Sequence, residues 1–169
     1  MRIIKNTALT FLAAAMSITS FMAIADNDDW RAMQRSKLNA AQALVIATDK
    51  VDGQAVELEF DEDNGRGYYE IEIYTNNKKY ELKVDADSGK VIESDMDRER
   101  DERSSVGLSL QQAIIIAERE TQAKTKSAEL KNRGGRDSYY EVDTIRKNTE
   151  YEVKIDANDG SILKIDRED

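Results

Sequence analysis

Two short stretches of the sequence carry carboxylates at alternate positions, an arrangement in which oxygen ligands can meet around a metal ion. The first reads Asp61-x-Asp63-x-Gly65, and the second reads Asp85-x-Asp87-x-Gly89. Carboxylate oxygens are the ligands that calcium prefers in proteins. The weak candidates for metal ligands in this chain are therefore Asp61, Asp63, Asp85 and Asp87.

Neither stretch continues as an EF-hand loop. Arg66 stands where a loop starting at Asp61 needs glycine, and Glu72 falls inside a predicted strand. In a loop starting at Asp85 the twelfth residue is Met96, which cannot supply a carboxylate. The alternative is that these aspartates accept backbone N–H groups in turns. The sequence thus predicts no specific metal site and no cofactor.

The sequence contains no histidine and no cysteine. This removes the bases and nucleophiles of most hydrolytic sites, together with the usual zinc and copper ligands. Paired carboxylates such as Glu57 and Glu59 could do acid–base chemistry, but they fall on the expected solvent face of a strand. There we expect their pKa values to stay near the ordinary range. The chain is predicted not to be an enzyme, and no catalytic residue is assigned.

The charge of the chain narrows the classes of partner. The formal net charge is −9 and the sequence pI is about 4.7. No cluster of basic residues is present to neutralise phosphates, so nucleic acid and anionic membrane surfaces are not predicted partners. A polypeptide partner remains compatible with this composition.

Residues 1–25 have the features of a signal peptide. Arg2 and Lys5 precede an apolar run from Ala8 to Ala25, and Ala23-Ile24-Ala25 fits the small-x-small cleavage rule. Cleavage after Ala25 would change the formal charge from −9 to −11, because two basic residues leave. We expect a periplasmic protein that no longer contacts the membrane, with secretion as the alternative location. An uncleaved membrane anchor is the alternative use of the run.

A repeated segment organises the rest of the chain. Residues 80–92 return as residues 151–163, with Tyr, Glu, Lys, Asp, Ala and Gly in the same places. Alternating apolar residues lead into a turn rich in Asp, Asn, Ser and Gly, which predicts a β-hairpin. The hairpin motif residues are Asp85, Gly89, Asp156 and Gly160. We expect the aspartates to accept turn N–H groups and the glycines to adopt positive φ.

The elements before each hairpin also repeat. Helical periodicity covers Leu38 to Lys50, opened by Asn39 and Gln42, and returns with Ser109 and Gln112. Three runs with period-two alternation follow each helix, and the hairpin adds a fourth strand. The sequence therefore predicts an α+β fold of two repeated units, each one helix packed on an antiparallel sheet of about four strands. The expected boundaries are 26–95 and 107–169, joined by a charged linker at 96–106.

This order of elements and motifs resembles the PepSY domain family, named after peptidase propeptides and the YpeB protein. The residues that carry the resemblance are Tyr69-Glu70, Val84-Asp85-Ala86 with Gly89, Tyr140-Glu141, and Ile155-Asp156-Ala157 with Gly160. The resemblance spans Leu38 to about Asp95 and Leu108 to about Asp166. It implies a non-catalytic protein that binds or restrains a peptidase or another envelope protein. No inhibitory residue set carries over, since the shared positions are those that the hairpin needs.

The sheet offers two surfaces for such a partner, its solvent face and an exposed strand edge to which a peptide segment could add. Tyr68, Tyr74 and Tyr139 have the opposite parity from the core residues and could form an interaction surface. Ordinary cross-strand packing is the alternative role for them. The competing functional hypothesis is a periplasmic sensor or binding protein for calcium or a small ligand.

Overall fold

A computed structural model describes residues 27–99, 105–131, 137–147 and 149–168. The expected signal peptide, residues 1–25, lies outside this part of the chain. The described elements are α1 Asn27–Arg35, α2 Ala40–Lys50, β1 Gln54–Asp63, β2 Arg66–Thr75, β3 Lys78–Asp85, β4 Val91–Asp97, α3 Leu110–Thr121, β5 Lys124–Lys131, β6 Tyr139–Arg146, β7 Thr149–Asp156 and β8 Ile162–Glu168. The α+β prediction is confirmed.

The helices start where the capping pairs predicted. The Asn39 side chain accepts the N–H of Gln42, whose own side chain accepts the N–H of Asn39, and Ser109 and Gln112 form the same capping box. α3 has no glycine at its end and closes on Gln122 in the left-handed conformation, with φ 53°. The segment containing Trp30 forms a further helix, α1, which precedes the helix predicted for the first unit.

The eight strands form one continuous antiparallel sheet in the order β4-β3-β2-β1-β5-β6-β7-β8. Each half keeps its own four strands, and the halves join where Glu57, Leu58 and Glu59 of β1 pair with residues 127–129 of β5. The contact between the two predicted units is thus a shared backbone ladder. Among the strands of the described ranges, β4 and β8 form the edges of this sheet.

The helices cover one face of the sheet, and one core runs under both of them. Ala43, Ala47, Ala113 and Ala117 are fully buried on α2 and α3, whose small side chains let the helices lie close to the strands. The N-terminal helix also reaches the second half. Lys124 Nζ donates to the carbonyl oxygen of Met33 at 2.7 Å, and Lys126 pairs with Asp29 at 2.9 Å.

The expected linker begins inside a strand. β4 continues through Asp97, with Met96 opposite Tyr80 and Asp97 opposite Lys79. Val106, at the other end of the expected linker, is partly buried against the core. The linker residues 100–104 lie outside the described ranges. The boundaries 26–95 and 107–169 therefore remain a proposal about where each repeat begins and ends.

Candidate functional site

The repeated hairpin motif serves the turn itself. Asp85 Oδ1 accepts the N–H groups of Ser88 at 2.7 Å and Asp87 at 3.2 Å, and Asp156 Oδ1 accepts those of Asn158 and Asp159. Hydrogen bonds from Ser88 lower the pKa of Asp85, since they favour its ionised form. The glycines have positive φ, 68° at Gly89 and 78° at Gly160, as predicted.

The two other metal-ligand candidates lie at the β1–β2 turn. Asp61 accepts the Glu62 N–H at 2.7 Å and the Tyr68 hydroxyl at 2.8 Å, while Asp63 accepts the Asn64 side-chain amide at 2.7 Å. Asp61 and Asp63 thus make local hydrogen bonds, as Asp85 does. Within the described ranges, no group of three acidic side chains is placed to hold a metal ion.

A concentration of charged side chains lies on the face of the sheet opposite α2. A groove of about 300 Å³ crosses β1 to β4 on the first half of the sheet. Its ionisable lining residues are Glu57, Glu59, Glu70, Glu72, Glu81, Lys83, Glu93 and Asp95. Seven of these eight side chains are carboxylates. The groove therefore presents an acidic surface that ends at the free edge of β4.

The pKa values of the carboxylates on β1 are raised, contrary to the sequence-based expectation. Half-burial raises the pKa of Glu57, and the neighbouring Glu72 and Glu129 raise it further. Half-burial likewise raises the pKa of Glu59, with Asp61 and Glu70 adding to the effect. The expectation was wrong because β1 is a central strand. Its side chains are half-buried between two neighbouring strands, and Glu57 stands between Glu72 of β2 and Glu129 of β5.

Alignment of the two halves by strand register shows why the groove belongs to the first half. Glu57 lies opposite Glu72, whereas the corresponding pair in the second half is Ser127 with Asp143. At the edge, Glu93 lies opposite Lys83, and its counterpart Lys164 lies opposite Lys154. Glu81, Glu93 and Asp95 were not singled out from the sequence. Comparing solvent-face charges between the repeats would have found Glu93, whose counterpart is Lys164, but Glu81 and Asp95 have acidic counterparts in Glu152 and Asp166.

Of the three tyrosines proposed as an interaction surface, two lie beside lysines. Lys83 Nζ lies 3.8 Å from the centre of the Tyr68 ring, and Lys154 Nζ lies 5.7 Å from that of Tyr139. Tyr74 is only 7% exposed. Its hydroxyl donates to Glu99 at 3.1 Å, so the chain that leaves β4 contacts it. The surface prediction was therefore wrong for Tyr74.

Replacing Glu57 with glutamine is expected to raise the free energy of unfolding at pH 7 by about 0.5 kcal/mol, because like charges stand directly opposite this residue. The folded state binds a proton at Glu57 more readily than the unfolded state does. Stability from this group is therefore lost as pH rises through its raised folded pKa.

Urea unfolding at pH 7 and near pH 4 would check this prediction. The difference between wild type and Glu57→Gln should shrink at the lower pH. The exposed Glu93→Gln should change stability less than Glu57→Gln at pH 7. A Glu57→Gln variant less stable than wild type at pH 7 would contradict the electrostatic account.

Comparison with known protein families gives a separate match for each half of the chain. The family model described as "Peptidase propeptide and YPEB domain", PepSY, matches residues 37–95 and again 107–166. The uncharacterized protein YkoJ of Bacillus subtilis (strain 168) is 26% identical over 158 residues, which cover 93% of this chain and 91% of YkoJ. The crystal structure of a "putative lipoprotein (CD1622)" from Clostridium difficile 630 is 25% identical, with a TM-score of 0.50. That match covers 81% of this chain and 97% of the other. The chain belongs to the PepSY family and carries two copies of its domain.

Proposed function

We propose that this is an exported, non-catalytic protein of the cell envelope that binds a basic, extended segment of a peptidase or of another envelope protein. The observation that carries the proposal is the acidic groove on the first half of the sheet. Membership of a family named for peptidase propeptides supports a polypeptide partner. The similar crystal structure from Clostridium difficile is described as a lipoprotein, which supports an envelope location.

The groove has the shape and charge that an extended cationic segment needs. It crosses four strands and ends beside β4, where the edge offers backbone groups to an added strand. Carboxylates facing each other across β1 and β2 repel, and lysine or arginine side chains of a partner would relieve that repulsion. Binding should therefore weaken as salt rises.

Export rests on the sequence features of residues 1–25. No helix in the part of the chain that the structure describes has both the length and the apolar character needed to cross a bilayer. We propose cleavage after Ala25 and residence in the periplasm. N-terminal sequencing of the protein recovered from a periplasmic fraction would test this. A protein that still begins at Met1 would contradict the proposed cleavage.

Two synthetic peptides test the chemistry of the groove. One alternates lysine with valine and the other alternates glutamate with valine. We expect the lysine peptide to bind and the glutamate peptide not to bind in calorimetric titration. The variant Glu57→Ser with Glu93→Lys gives the groove the residues of the second half. It should lower the affinity for the lysine peptide at least about tenfold.

The matched control removes carboxylates outside the groove, on the second half of the same face. Glu141→Gln, Glu152→Gln and Asp166→Asn together change the net charge by the same three units as Glu57→Ser with Glu93→Lys. The affinity of this control for the lysine peptide should stay within about twofold of that of wild type, because its net charge changes and its groove residues do not. Equal weakening by both variants would show a general charge effect and contradict a specific groove.

The peptidase part of the proposal needs a separate test. Cross-linking in intact cells from a photoreactive residue at position 95, whose side chain lines the groove on its edge strand, should recover one dominant polypeptide. The Glu57→Ser, Glu93→Lys variant should lose that product. Recovery of no peptidase or other envelope protein in repeated experiments would overturn this assignment.

A further inference from the structure

The two free edges of the sheet differ in charge pattern, although they are copies of the same strand in the repeat. β4 carries Glu93, Asp95 and Asp97 on its solvent face, and β8 carries Lys164 and Asp166 at the first two of these positions. An exposed edge strand is a template for pairing with another chain unless charge opposes it. The charge pattern therefore decides what each edge can accept.

The acidic edge opposes pairing with its own copy. Antiparallel self-pairing of β4 about Ser94 would place Glu93 opposite Asp95. Pairing about Asp95 would place Glu93 opposite Asp97 and bring two Asp95 side chains together. Like charges directly opposite each other destabilise a strand pair. The β4 edge is thus protected against a second copy while it remains open to a basic partner.

The other edge is complementary to itself. Antiparallel pairing of β8 about Ile165 would place Lys164 of each copy opposite Asp166 of the other, with the two Ile165 residues facing each other. Shifting the centre to Lys164 or Asp166 would bring like charges together. Shifting the register by one residue would place Ile165, which lies on the helix-covered face, opposite a residue of the solvent face. This is disfavoured because side chains alternate between the two faces along each strand.

The exposed apolar surface of β8 lies where this pairing would cover it. Ile162, Leu163 and Ile165 are 37%, 56% and 45% exposed. Ile162 pairs with the buried Ile155, and Ile165 pairs with the buried Val153, so both continue the core toward the edge. Among the element pairs with substantial contact, α3 packs on β5, β6 and β7 but not on β8.

We infer that β8 is the interface for a second copy of this chain, paired antiparallel about Ile165 by a two-fold axis perpendicular to the sheet. The dimer forms one sheet of sixteen strands, twice the eight of each copy. Its helices all lie on the same side, and its two acidic grooves lie at the far ends. This inference does not depend on the function proposed for the groove.

Cysteine cross-linking tests the register. The chain has no cysteine, so Ile165→Cys introduces a single thiol at the proposed axis. The matched control is Ser94→Cys, the corresponding position on the β4 edge. Mild oxidation or a short bifunctional thiol reagent should give a covalent dimer with Ile165→Cys and essentially none with Ser94→Cys. Equal cross-linking of the two variants, or a mixed product that joins one variant to the other when the two are combined, would overturn the inference.

Charge exchange tests the complementarity. In the proposed dimer, residue 164 of each copy lies opposite residue 166 of the other, which gives two pairs. Lys164→Glu and Asp166→Lys each place like charges in both pairs, and each substitution alone should weaken dimerisation about tenfold. An equimolar mixture restores opposite charges in both pairs and should recover the dimer mass by light scattering. A wild-type protein that stays monomeric at millimolar concentration, or a mixture no more dimeric than its components, would contradict the interface.

Discussion

Replacing Leu58 with alanine should lower the free energy of unfolding by about 2–5 kcal/mol, the range for removing a buried leucine side chain. Leu58 is fully buried and lies at the centre of the sheet, opposite Ile71 of β2 and Ala128 of β5. A cavity there would lie between strands from both halves. The substitution should therefore destabilise the whole molecule, rather than the first repeat alone.

Urea unfolding followed by two signals would measure this. Fluorescence reports mainly on Trp30, the single tryptophan, which packs against the core from α1, whereas far-ultraviolet circular dichroism reports on both halves. The two midpoints should coincide in wild type and shift together in Leu58→Ala. The control Val45→Ala, at a position 43% exposed on α2, should cost less than about 0.5 kcal/mol. A change confined to the Trp30 signal would show that the halves unfold separately.

Replacing Gly67 with alanine should cost about 1–3 kcal/mol, because it overpacks a filled site. A Cβ atom at Gly67 would lie 2.5 Å from Cζ of Phe60, a fully buried ring that packs edge to face on Tyr69. Neither the ring nor the central strand that carries it can move freely. The corresponding residue of the second repeat, Ser138, already has a Cβ atom.

The second repeat also suggests the compensating change. By strand register the counterpart of Phe60 is Leu130, since Phe60 pairs with Tyr69 and Leu130 pairs with Tyr140. The double variant Gly67→Ala, Phe60→Leu should therefore lose less stability than the sum of its two single variants. Thermal or urea unfolding of the four proteins gives this coupling. Strictly additive losses would show that the ring does not set the requirement for glycine.

Local signals predicted most elements correctly because their causes lie within a few residues. The capping pair Asn39 and Gln42 fixes the start of α2, and Asp85 with Gly89 fixes a turn through their own backbone contacts. Such interactions do not depend on the neighbouring strand. This explains why the repeat was sufficient to predict the order of helices and strands and the two hairpins.

The joining of the halves could not be predicted in this way. The alternation of Glu57, Leu58 and Glu59 is the same whether the outer edge of β1 is free or paired, since pairing uses backbone groups. Side-chain parity likewise placed Tyr74 on the solvent face, but the structure buries its side chain, and its hydroxyl donates to Glu99 beyond β4. Both features depend on residues far away in sequence.

The acidic groove could be predicted from the sequence only in part. Its carboxylates follow from strand parity, but their pKa shifts require the knowledge that β1 is central and that Glu72 and Glu129 flank Glu57. The charge difference between the halves is visible in the sequence once the strands are aligned by register. The unmatched residues Glu57 and Glu93 then identify the first half as the binding candidate.

Amide hydrogen exchange resolved by residue tests the joined sheet most directly. In a free edge strand alternate amides face solvent and exchange fast, whereas in a central strand the amides on both sides are bonded. The fold predicts slow exchange at every amide of residues 57–59 and 127–129, with alternating fast exchange in β4. Fast exchange at alternate amides of residues 57–59 would show that β1 is itself an edge and that the two halves are separate sheets.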